Sequence, residues 1–243
     1  MASLLGIEVR VHFLFVVWIA LTLAHAADVL AVLELHVLLF GSILLHELGH
    51  CLGCRAVGGE APGIVLYPFG GASLLRTPRT PRAELISVAA GPAVNLLLAL
   101  LGLGGAVALD ALGPALEHPL GALGLSSEAA GRIGWLERVA LGLAAINALL
   151  FAFNVIPAWP MDGGRLLRGA LWPLLGWRQA TVLTTVLALV LSAGFAALAA
   201  LLPMPFLFLV AAFVAIASWG ELQRALAAAD GPPRVPEPSW PTP

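Results

Sequence analysis

Residues Leu33–Cys54 read LELHVLLFGSILLHELGHCLGC, and the reading of this stretch decides the rest. Positions 35–45 carry no formal charge, and His46-Glu47-Leu48-Gly49-His50 follows directly. On a helix, residues i and i+4 stand one above the other, so His46 and His50 face the same way and can grip one cation. Glu47 leaves the neighbouring strip of that helix, where it can hold an activated water instead of the metal itself. The uncharged run ahead of the motif has the character of a membrane span. A hydrolytic metal motif set in lipid-soluble sequence is a different proposition from one in a soluble enzyme.

Composition points the same way. Of 243 residues, 60% are hydrophobic and 11% are charged, with a mean hydropathy of +0.97. Soluble domains carry about 25% charged residues, so the chain is expected to be a polytopic membrane protein. All 12 basic residues are arginine, and a net charge of -2 gives no reason to expect nucleic acid as a partner. Cys51 and Cys54 make one CLGC with no second pair, which is expected to be a pair of small buried residues at a helix end. The N-terminal MASLLGIEVRVH lacks the basic region and small-residue cleavage site of a signal peptide.

A span needs about 20 apolar residues. Six such stretches are expected, at about 12–31, 33–53, 85–109, 139–161, 179–201 and 206–226. Pro203 and Pro205 mark the turn between the last two. The predicted fold is therefore all-α, with six transmembrane helices. A short membrane-associated β-hairpin or loop is expected after helix two, because residues 54–83 hold paired glycines, prolines and β-prone runs. Such backbone survives in a membrane only where protein shelters it or where it lines a wet cavity. An extended segment there could also pair with an unwound peptide by strand addition. Residues 110–133 read as a Gly-rich, weakly acidic loop. Residues 1–230 are expected to form a single domain and 231–243 a proline-rich tail.

Arginine placement orients the spans. Ten arginines, among them Arg10, Arg55, Arg165 and Arg224, fall on one side of this six-span topology, and Arg132 and Arg138 fall on the other. The positive-inside rule makes the first side cytoplasmic, with both termini there. His50 and Asp162 emerge toward that same side.

Catalytic zinc takes three protein ligands. His46 and His50 supply two, and Asp162 is the strongest candidate for the third. It follows the helix-breaking segment Asn154-Val155-Ile156-Pro157-Ala158-Trp159-Pro160-Met161, at the membrane edge. Its alternative role is a solvated N-cap for a helix starting at Gly163; Glu60 and Glu84 are the other acids to weigh. His36 lies ten residues before His46, about 15 Å along a helix, and is expected to be a packed histidine instead. Glu47 is the candidate general base. Asn154 is a candidate oxyanion donor and Asn95 could orient the site, though either could be polar glue between helices.

Three motifs together, HELGH in one apolar helix, GPAVN in a later one and NVIPAWPMDGGR after the next, resemble the site-2 protease family of intramembrane zinc metalloproteases, the group that includes sporulation-factor proteases. The opening GIEVRVHFLF and the segment YPFGGASLL are similar to that family as well. The resemblance implies one Zn2+ per chain held by His46, His50 and Asp162, with Glu47 as catalytic acid/base. Asn95 and Asn154 match the family's two asparagines. It also implies a membrane-anchored protein or peptide substrate, with a regulatory membrane protein as a further partner, in a multi-pass bacterial cell membrane. Neither the PDZ nor the CBS domains that some members carry are expected within 110–133 or 227–243. The competing reading is a non-enzymatic zinc-binding scaffold or metal transporter. A transporter would distribute acids and histidines through the membrane depth, whereas residues 179–220 carry no charge at all.

Overall fold

A computed structural model describes residues 2–68, 70–122, 126–202 and 204–228. The chain is an all-α polytopic membrane protein with a sheet region flanking its second helix. The expected tail at 231–243 lies outside the described residues.

Two short strands open the chain, β1 (Ala2–Leu4) and β2 (Ile7–Val11). They pair antiparallel through a turn with φ of 53° at Leu5 and 71° at Gly6. Two successive left-handed residues match the right-handed twist of a tight hairpin. Helices α1 (Phe13–Ala24) and α2 (Val29–Ala56) follow. The break between them comes earlier than expected, at 25–28, not near 32. The Nδ1 and backbone N–H of His25 both reach the Leu21 carbonyl, closing α1, and Asp28 Oδ1 accepts from the Ala31 N–H, capping α2. At 12 residues, α1 rises only about 18 Å, short of the hydrocarbon thickness.

Beyond α2 the expected hairpin is present as β3 (Glu60–Tyr67) and β4 (Gly70–Arg76). It belongs to a larger sheet ordered β1-β2-β3-β4, in which β2 and β3 run parallel, with Val9 opposite Ile64. Ile7 and Ile64 are completely buried. The N-terminal hairpin was not foreseen because its strands, at three and five residues, are too short to show alternation.

Helix α3 (Pro81–Ala122) continues through residues 110–122 of the expected loop, and α4 (Ser126–Val155) starts within it. Falling hydropathy does not end a helix; Ala108, Leu109, Ala111 and Leu112 remain strong helix formers. Pro157 then stops α4 at Val155, short of the expected 161. Helix α5 (Asp162–Leu175) gives way to α6 (Trp177–Leu201) at Gly176, whose φ of 79° suits glycine, and α7 (Pro205–Ala227) starts on its proline.

Among the described residues, five helices are long and apolar enough to cross a membrane: α2, α3 (through Leu112), α4 (from Ile133), α6 and α7 (from Leu207). Leu30, Leu149, Leu201 and Ile216 are more than 70% exposed. Apolar surface on this scale has lipid as its natural solvent. The count is five rather than six because α1 is short.

The chain groups into two compact units. The first contains residues 1–52, 62–74 and 90–153, and a polar chain at its heart ties α2, α3 and α4 together. The second contains, among the described residues, 53–61, 75–89 and those from 154 to 228. In it, α6 packs on α5 and α7, and Ala158, Met161, Ala188 and Val214 form a buried apolar cluster. There Arg168 donates to Glu84 and Glu221 and lies over the rings of Trp159 and Trp177.

Candidate metal centre

His46, Glu47 and His50 lie on consecutive turns of α2, all buried. Their helix is apolar around this point, so three ionisable groups without water must find partners in the protein. The imidazoles of His46 and His50 meet edge to face with Nε2 atoms 3.0 Å apart. Two nitrogens bound to one tetrahedral zinc at about 2.0–2.1 Å are about 3.3 Å apart. The pair is thus close to a chelating arrangement.

Space for the rings comes from Gly91 on α3. A Cβ there would lie 2.4 Å from His50 Nε2 and 2.9 Å from His46 Cε1. Gly49 plays a similar part at the crossing, where a Cβ would meet the Ala90 carbonyl oxygen at 2.6 Å. Two glycines therefore let α3 approach α2 closely enough to wall the site.

A buried polar chain orients His46. Its Nδ1 lies 2.5 Å from Asn95 Oδ1; Asn95 Nδ2 donates to Asn147 Oδ1 at 2.8 Å; and Asn147 Nδ2 donates to Ser42 Oγ at 2.8 Å and to the Leu143 carbonyl at 2.9 Å. The direction of donation is fixed along the chain. The Leu143 carbonyl can only accept, so Asn147 turns its Nδ2 there and its Oδ1 to Asn95 Nδ2, which leaves the Asn95 oxygen facing His46 to accept the Nδ1 proton. That tautomer leaves the Nε2 lone pair directed toward His50, the state in which histidine ligates a metal. Asn95 and Asn147 are both fully buried.

The structure thus gives Asn95 the orienting contact considered for it. Asn147 and Ser42 were missed. The signal was present, since Asn147 sits in the apolar run LAAINALLFAF. An intramembrane asparagine must turn into the bundle to find a partner, and this holds for Asn147 as well as for Asn95.

Asp162 is the first residue of α5 and is buried, so it does not serve as a solvated cap; the N-cap position belongs to Met161. Backbone packing holds the start of α5 in place. A Cβ on Gly163 would meet the Val155 and Ile156 carbonyl oxygens at 2.3 Å, and one on Gly164 would meet Trp159 N at 2.5 Å. Only glycines fit so near the preceding turn. Arg165 Nη1 lies 3.7 Å from Asp162 Oδ1.

His46, His50 and Asp162 each offer one ligand atom, and these atoms lie within 4.8 Å of one another. Two imidazoles and one carboxylate are a donor set that zinc accepts, and the carboxylate balances part of its charge. The residues therefore fit the group. Glu60 and Glu84, the other acids weighed, are engaged elsewhere: Glu60 with Arg76 at 2.9 Å and Glu84 with Arg168. His36 is packed, as expected, with Nε2 3.1 Å from Thr22 Oγ1. Cys51 and Cys54 are thiols, both buried. Asn154 lies half-buried in the last turn of α4.

Glu47 is held from the side by β4. The Ser73 hydroxyl donates to Glu47 Oε2 and also lies 3.1 Å from the Glu47 carbonyl oxygen.

Comparison with known proteins bears on this geometry. The profile of peptidase family M50 matches residues 34–201. Rip3 of Mycobacterium tuberculosis, named as a candidate zinc metalloprotease, is 34% identical over 137 residues, which is 56% of this chain and 30% of Rip3. A similarly named protein of Synechocystis is 38% identical over 143 residues, 57% of this chain and 31% of its own. A zinc metalloprotease of Methanocaldococcus jannaschii is 30% identical over 184 residues, 74% of this chain and 47% of that protein. The chain thus spans less than half the length of these curated relatives. Among solved structures, the site-2 protease from Methanocaldococcus jannaschii matches with a TM-score of 0.59 and 25% identity, covering 91% of this chain and 94% of that one.

Proposed function

Since the chain belongs to peptidase family M50, we propose that it is an intramembrane zinc endopeptidase that cleaves membrane-anchored protein or peptide substrates near the cytoplasmic face. One observation carries the reading: buried ligand atoms of His46, His50 and Asp162 gather within 4.8 Å, beside a buried Glu47.

In this reading His46, His50 and Asp162 hold a single zinc ion. When bound, zinc supplies a Lewis acid for the scissile carbonyl and lowers the pKa of a water molecule. Glu47 takes the proton of the attacking water and passes it to the leaving amine. Asn95 keeps the His46 Nδ1 protonated and its ring in place. Asn154 donates to the oxyanion that forms on the substrate carbonyl. The substrate helix must unwind before attack, because its peptide bonds are otherwise hydrogen-bonded and shielded. Small or helix-breaking residues near the cleaved bond lower that cost. The β3–β4 segment is suited to receive the unwound strand.

Residues 1–230 act as one catalytic domain in this proposal, and 231–243 as a tail. Both termini are cytoplasmic in a bacterial cell membrane, with α1 and its flanking residues serving as the sixth span; the arginine distribution supports that orientation.

The test is cleavage by purified protein reconstituted in vesicles with a panel of membrane-anchored peptides. Wild type is expected to cleave, a zinc chelator to stop it, and Glu47→Gln to retain zinc without cleaving. Persistent cleavage by Glu47→Gln would sink the mechanism. Zinc binding with no cleavage of any peptide by wild type would favour a scaffold.

A further inference from the structure

The strand β4 does more than border the metal centre. Gly70, with φ of 150°, turns the chain into it, and Gly71 then lies flat against Glu47. A Cβ at position 71 would be 2.5 Å from Glu47 Cγ and 3.0 Å from Oε1. Two residues on, Ser73 has the same face of the strand and brings its hydroxyl to Oε2. The same hydroxyl lies 3.1 Å from the Glu47 carbonyl oxygen. A serine hydroxyl has one proton, and the shorter contact, to the carboxylate oxygen, is the stronger claim on it.

The consequence follows from carboxylate chemistry. A glutamate has three rotatable side-chain torsions, and the helix alone fixes none of them. A donor on Oε2 fixes the outermost, leaving Oε1 as the oxygen on the glycine side. The missing side chain at Gly71 keeps the space beside Oε1 open. We infer that Ser73 is a positioning residue for the Glu47 base, holding Oε2 so that Oε1 handles the proton, and that Gly71 preserves access to Oε1. This inference rests on the role proposed above for Glu47. It assigns β4 a part in setting the base, separate from receiving a substrate strand.

Two measurements test it. The first is cleavage of a quenched fluorogenic peptide, fused to a single apolar helix with a Gly-Pro break, in phosphatidylcholine vesicles. Ser73→Ala is expected to lower kcat about tenfold, the scale of one lost charge-assisted hydrogen bond, with KM and zinc content unchanged and the protein still folded. Ser73→Thr, which keeps the hydroxyl, is expected to restore most of the rate, and Gly71→Ala to abolish turnover while retaining zinc. Wild-type kcat in Ser73→Ala, or Ser73→Thr no faster than Ser73→Ala, overturns the inference. The second measurement needs no turnover. Infrared difference spectra against Glu47→Gln identify the Glu47 carboxylate bands, which Ser73→Ala is expected to shift; an unshifted band overturns the inference. The Glu47→Gln variant separates the two levels. If it cleaves, the proposed mechanism fails. If it is inert while Ser73→Ala is unaffected, the positioning role alone fails.

Discussion

Replacing Gly91 by alanine adds one methyl group, and the structure locates the damage. The new Cβ would lie 2.4 Å from both Cε1 and Nε2 of His50, where ordinary contact begins at 3.4 Å. The His50 ring, or the α3 backbone, must therefore recede by about 1 Å, several times the roughly 0.2 Å by which zinc–ligand distances vary. His46 is crowded as well and has little freedom to compensate, because Asn95 fixes its Nδ1. Loss of an outer-shell partner alone weakens zinc by about 10–100-fold. Displacing a ligand is expected to cost at least the upper end of that range. Overpacking a buried site costs about 1–3 kcal/mol of stability, so the variant is expected to fold with a lowered melting temperature. Gly104→Ala is the control. It lies on the same helix, with nothing within 4 Å of its Cβ, and is expected to be neutral or to stabilise by up to about 1 kcal/mol. Zinc affinity is read by competition with a chromogenic chelator on metal-stripped protein in detergent, and folding by circular dichroism. Wild-type zinc affinity in Gly91→Ala would refute the claim that this glycine makes room for the ligand pair.

Other substitutions probe separate parts of the structure. Asn95→Ala removes the acceptor from His46 Nδ1 and is expected to weaken zinc by about 10–100-fold, measured in the same competition; an unchanged affinity would remove Asn95 from the site. Arg168→Met leaves the buried Glu84 carboxylate without its cation, while Glu221 keeps Arg224 at 2.8 Å, and is expected to cost about 3–5 kcal/mol, seen in denaturant unfolding. A loss below about 1 kcal/mol would show that water or another cation reaches Glu84. Ser218→Ala deletes the hydroxyl that donates to the Trp159 carbonyl at 2.9 Å. It is expected to cost about 1 kcal/mol in the same unfolding experiment, and no measurable change would mean that the carbonyl finds water.

Much of the site was legible along the chain because its information is local. The i, i+4 spacing of His46 and His50 needs only helical geometry, and the apolar run ahead of them makes that helix a membrane span. Asp162 was found by an argument of the same kind, as a carboxylate following two prolines at the membrane edge. The last two helices were placed to within about two residues, because a long uncharged stretch interrupted by Pro203 and Pro205 has few ways to fold. The helical stretch through 110–122 was misread, since glycines and acidic residues suggested a loop where alanine and leucine continued the helix.

What tertiary structure alone decided is the company these residues keep. No pattern in the sequence joins Asn147 to Asn95, or Ser73 to Glu47, across 52 and 26 residues. Those pairs exist because α3 packs on α2 at Gly49 and Gly91 and on α4 at Gly102, where a Cβ would meet the Ala140 carbonyl oxygen at 2.7 Å, and because β4 lies against α2. A sequence shows which side chains need partners in a medium without water. Packing determines which partners they get, since hydrogen bonds form only where donor and acceptor are brought within about 3 Å in the right direction.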